Sequence, residues 1–84
     1  MSNVRKIQKI IRKKTSWLKL SFGDYENWIT IYIDPVKGKF SVDTGNGNTC
    51  ISDGIWYQLS NVSIKYFLET FGSEFYGALR HAIK

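Results

Sequence analysis

Apolar residues recur along this chain in three successive rhythms, and each rhythm predicts an element. Val4, Ile7, Ile10 and Ile11 fall within one arc at about 100° per residue, while Arg5, Lys6, Lys9, Arg12 and Lys13 fall on the other side. The spacing predicts a basic amphipathic helix over residues 1–15, with Ser2 or Asn3 as its cap. Lys13 and Lys14 stand near its end, where cations complement the helix dipole.

From Trp17 the period shortens to two. Leu18, Leu20 and Phe22 alternate with Trp17, Lys19 and Ser21, and after a turn at "GDYEN" the run "WITIYID" sends Ile29, Ile31 and Ile33 one way and Trp28, Thr30, Tyr32 and Asp34 the other. A turn at "PVKGK" leads into a third strand over residues 39–44, with Phe40 and Val42 inward, and "GNGN" permits a tight hairpin. "TCIS" and "IWYQL" flank Asp53 and Gly54, which predicts a fourth strand bulged or broken at that pair. Turns this short exclude the crossover of roughly a dozen residues that parallel pairing needs, so residues 17–59 read as an antiparallel meander of three to four strands.

The third rhythm is helical again. Ile64, Phe67, Leu68, Phe71, Phe75, Ala78, Leu79 and Ala82 form one stripe over residues 62–83, with Ser60 or Ser63 as cap. Gly72 and Ser73 have the chemistry to end one helix and start another, but the phase of the stripe is unbroken across them, which favours a continuous or slightly bent helix. The predicted class is α+β: an N-terminal helix, an antiparallel meander, and a long C-terminal helix packed on the sheet, in a single domain over residues 1–84.

Length and composition add limits. A chain of 84 residues has room for one core, and one so short buries only about 60 to 65% of the surface it exposes when unfolded. Three Trp, five Tyr and five Phe are therefore needed in part for stability. The single cysteine, Cys50, excludes an intramolecular disulfide and a multi-cysteine metal site, and fits a reducing compartment. No apolar run approaches the roughly 18 residues of a membrane span, and the basic start is not followed by an apolar signal segment, so a cytoplasmic protein is expected.

The net charge of +5 sits almost wholly at one end. The first fourteen residues carry six basic side chains and no acid, while the remaining seventy carry six basic and seven acidic groups.

Catalytic chemistry is not evident. His81 is the only histidine and has no visible partner, and Cys50 reads as a small buried hydrophobe in a strand. The acids are scattered, several of them at turns, where Asp accepts local hydrogen bonds. "DTGNGN" has glycines where calcium ligands should stand and no glutamate to close the loop, and it does not run from strand to helix as a phosphate loop must. The "NVS" triplet at Asn61 is discounted as a glycosylation site without a secretion signal. No enzyme, cofactor or metal is expected.

Binding remains. Arg5, Lys6, Lys9, Arg12 and Lys13, with Lys19 on the first strand, form a candidate surface for nucleic acid, a nucleoprotein complex or an acidic protein partner. Trp17, Trp28, Tyr32 and Trp56 share the sheet face opposite the isoleucines and are candidates for base stacking or for protein hot spots, as are Tyr66 and Tyr76 for a partner on the last helix. The structural alternative is that the first helix covers the aromatic face, buries the tryptophans and leaves its charges in water. Against a purely solvated role, the helix has no acid to offset the repulsion among its cations.

An alternative class is a phage or mobile-element inhibitor or regulator, of the anti-CRISPR or immunity-protein kind, that binds a protein. Small size, lack of chemistry and an Ile-, Lys- and Asn-rich composition suit it. Stable membrane association is disfavoured, because the apolar side of the first helix lacks Trp and Phe.

Overall fold

The computed structural model describes residues 2–84, apart from the Ser2 side chain. Helix α1 (Ser2–Arg12) precedes strands β1 (Leu18–Gly23), β2 (Trp28–Asp34), β3 (Lys39–Asn46), β4 (Thr49–Ser52) and β5 (Tyr57–Gln58), which are followed by helices α2 (Asn61–Phe71) and α3 (Ser73–Ala82). The predicted α+β order is the one observed: an N-terminal helix, an antiparallel sheet and C-terminal helices packed against it.

All strand pairs are antiparallel, in the order β1-β2-β3-β4, and β5 also pairs with β3. The expected fourth strand is thus broken at Asp53 and Gly54, and its two pieces share one edge of β3. β4 pairs with Asp43–Asn46, and β5 with Lys39 and Phe40. The register sorts the side chains by face. Leu18, Ile33 and Phe40 are in line, as are Leu20, Ile31 and Val42, while Lys19, Tyr32 and Ser41 alternate with them on the opposite face.

The core lies on the first of these faces. Leu18, Leu20, Ile31 and Ile33 are buried together with Val4, Ile7 and Ile11 of α1, Ile64 and Phe67 of α2, and Phe75 and Leu79 of α3. Phe67 is a hub: its ring meets Phe40 edge-on at 5.0 Å and lies 5.2 Å from Phe75, while Phe71 meets Phe22 edge-on at 5.2 Å. Because the buried side chains of all three helices belong to this one core, α1 does not cover the aromatic sheet face. Trp17 is 61% exposed, and Trp28 and Trp56 are half-buried, contrary to the reading in which α1 buries the tryptophans.

Four further expectations are corrected. The C-terminal helix is broken, because Gly72 takes φ 59° and ψ −132°, a backbone state that terminates α2, and α3 begins at the next residue. The interruption is short enough that Phe75 and Leu79 rejoin the stripe begun by Ile64 and Phe67. α1 stops at Arg12 rather than residue 15, closed by bonds from the Lys13 and Lys14 N–H groups to the Ile10 and Ile11 carbonyls. α1 already begins at Ser2, so Ser2 and Asn3 lie inside the helix rather than at its cap. Cys50 is exposed, because β4 is an edge strand whose four residues are all exposed.

Candidate nucleic-acid interface

The cations of α1 and of the turn that follows it divide three ways. Arg5, Lys9 and Arg12 recur at helical spacing on one flank, which faces the first turn of α2; with Gln8 and Asn61 they line a cleft of about 210 Å³. Lys6 and Lys13 are exposed and do not line this cleft, and Lys14 turns inward, where its Nζ donates to the Ile83 carbonyl at 3.2 Å. A cation on that carbonyl complements the C-terminal end of α3. None of the cleft residues is acidic, and α1 itself contains no acid.

The first turn of α2 is well formed. Ser60 and Ser63 make a reciprocal capping box, in which the Ser60 N–H donates to Ser63 Oγ at 2.8 Å and the Ser63 N–H to Ser60 Oγ at 3.4 Å. Both serines proposed as caps therefore take part. No acidic residue occupies this turn to complement its dipole.

The aromatic candidates do not gather at one point. Trp17 and Trp56 pair at one end of the open sheet face, ring centroids 4.9 Å apart, and line a cleft of about 200 Å³ with Asp34, Lys37 and Lys39. Tyr32 lies across from Lys19 and Ser41 in the middle of this face, half-buried, with Lys19 exposed. Trp28 is at the far end, where its ring packs directly on Gly45 and its Nε1–H donates to the Gly47 carbonyl at 3.0 Å. Trp28 is thus committed to the β2–β3 register, whereas Trp17, beside Trp56, is exposed, as are Tyr66 on α2 and Tyr76 on α3.

The loop carrying Trp56 is held by Asp53, whose Oδ1 accepts from the Ile55 N–H at 2.9 Å and whose Oδ2 accepts from the Tyr57 hydroxyl at 2.6 Å. The Tyr57 bond, then the Ile55 bond, lowers the Asp53 carboxyl below its ordinary value, and the same contact raises the Tyr57 hydroxyl. Asp24 and Asp34 play similar local parts: each accepts two backbone N–H groups in the turn that follows it.

Gln8, Asn61, Lys37 and Lys39 were not singled out by the sequence pattern. Gln8 falls just outside the apolar arc, next to Val4, yet it is more buried than Ile10 within the arc, a difference set by packing rather than by spacing. The other three are brought in by tertiary contact. Among the described residues no group of three His, Cys, Asp or Glu side chains is placed to hold a metal, and no helix is long and apolar enough to cross a membrane. In comparisons with family models, curated proteins and solved structures, none matches this chain.

Proposed function

We propose that this protein is a non-enzymatic binding protein that engages nucleic acid, alone or in a nucleoprotein complex, through the cationic side of α1. One observation carries the reading: α1 turns Val4, Ile7 and Ile11 into the core and leaves Arg5, Lys6, Lys9 and Arg12 exposed, with no acid on the helix and Lys13 exposed just beyond it. A helix that needed only solubility would mix signs, whereas a row of cations gains affinity by releasing counterions from phosphate. Short labelled single-stranded and duplex DNA and RNA, followed by fluorescence anisotropy at about 50 mM salt, test it directly. Binding of at least one is expected, and absence of binding to all four would contradict the proposal.

A second reading, a phage or mobile-element regulator that binds a protein partner, draws on the Trp17–Trp56 pair. Trp17 is 61% exposed beside another tryptophan, which suits a protein hot spot. This reading predicts loss of partner binding in Trp17→Ala and little response to salt.

A further inference from the structure

The cleft between α1 and α2 has more than charge. Gln8 is only 9% exposed, and among the described residues its side-chain amide makes no hydrogen bond. Among the described residues no fully enclosed side-chain polar atom lacks a partner, so the Gln8 amide is open to solvent, and Gln8 lines the cleft. Open to water there, the amide keeps its donors and acceptor free beside Arg5, Lys9, Arg12 and Asn61.

Backbone donors point the same way. Asn61 and Val62 are the first two residues of an eleven-residue helix, so their N–H groups have no intrahelical acceptor, and the capping box engages only Ser60 and Ser63. Val62 and Lys65 continue the lining on the adjoining side, together with Val4 and Arg5. Converging cations, a neutral amide and the positive end of a helix dipole make up the chemistry of an oxyanion seat.

We infer that this cleft seats a single phosphate group, contributed by a nucleic-acid backbone, with Gln8 and the first turn of α2 donating to its oxygens and Arg5, Lys9 and Arg12 neutralising it. The inference rests on the proposed role of α1, which it deepens by assigning one fixed phosphate position and a contact that is not ionic. A fixed phosphate sets the register of a strand along α1, whereas scattered surface cations only attract it.

Two measurements on the whole chain test the seat. In the first, inorganic phosphate is titrated into isotope-labelled protein at constant ionic strength and the amide resonances are followed. The Asn61 and Val62 amides are expected to shift and saturate. In the second, Gln8→Leu, which is close in volume and compatible with a buried site, is compared with wild type for oligonucleotide affinity across salt concentrations. Affinity is expected to fall about tenfold, the effect of losing a hydrogen bond to a charged group, with the salt slope unchanged because Gln8 carries no charge.

Oligonucleotide binding that is steep in salt but unaffected by Gln8→Leu, with the two amides unmoved by phosphate, would overturn the seat and leave the role of α1 intact. Saturation by inorganic phosphate without oligonucleotide binding would uphold the seat and overturn the nucleic-acid reading. Shifts that grow linearly with phosphate, spread over all of α1, would reduce the cleft to general electrostatics and overturn it.

Discussion

Gly45 shows how one residue fixes an aromatic. Its φ is not positive, so its need for glycine is steric: an added Cβ would meet the Trp28 ring and lie 2.7 Å from the Thr49 carbonyl oxygen. Gly45→Ala must displace the indole and break its bond to the Gly47 carbonyl, at an expected cost of about 1–3 kcal/mol. Urea denaturation measures the loss, and a red-shifted tryptophan emission should accompany it. The Asp53–Tyr57 contact gives a second prediction at this scale. The lowered Asp53 contributes stability at pH above its unfolded-state pKa and loses it as pH falls through the folded one; the raised Tyr57 contributes below its unfolded-state pKa and loses it as pH rises through the folded one. In Asp53→Asn the Tyr57 titration, followed by tyrosinate absorbance, should move down toward the ordinary tyrosine value. An unmoved titration would mean that the bond is not formed in solution.

Among the elements, two glycines make opposite predictions. Gly72 has φ 59°, so Gly72→Ala is strained although its Cβ would stand in open space, and it should destabilise by about 1–3 kcal/mol. Gly77 lies inside α3 with no positive φ and no neighbour within 4 Å, so Gly77→Ala should stabilise by about 0.5–1 kcal/mol. Thermal denaturation of the pair checks both. The same helices mark the limit of what periodicity conveys. The alternation in β1 and the stripe of α1 were legible because one side of each is buried and the other is not, and β2 and β3 were legible from their alternating apolar and polar residues although Thr30, Asp34 and Ser41 are also buried. The break at Gly72 was hidden, because an interruption of one residue returned Phe75 and Leu79 to the face begun by Ile64 and Phe67. Cys50 was misread because strand pattern does not say which strand lies at an edge.

In the molecule as a whole, the sheet and its core separate two surfaces. The helices take one face of the sheet, so the cations of α1 point away from the face that carries Trp17, Lys19, Tyr32 and Trp56. The chain pattern identified the members of both surfaces but left open whether α1 covered the aromatics. That choice depends on tertiary packing, which no local period encodes. Separation also means that one short oligonucleotide need not touch both surfaces, so removing the aromatics and removing the cations are independent tests. Trp17→Ala should leave the salt slope of binding unchanged.

Whether α1 is a phosphate-binding helix is decided by the slope of log affinity against log salt for one oligonucleotide, between about 50 and about 200 mM. Wild type is compared with a variant in which Arg5, Lys9, Arg12 and Lys13 are replaced by Gln. A phosphate-binding α1 gives a steep slope in wild type that falls by about one for each cation removed, with affinity lost by orders of magnitude at the lower salt. Equal slopes and equal affinities in a folded variant would contradict it.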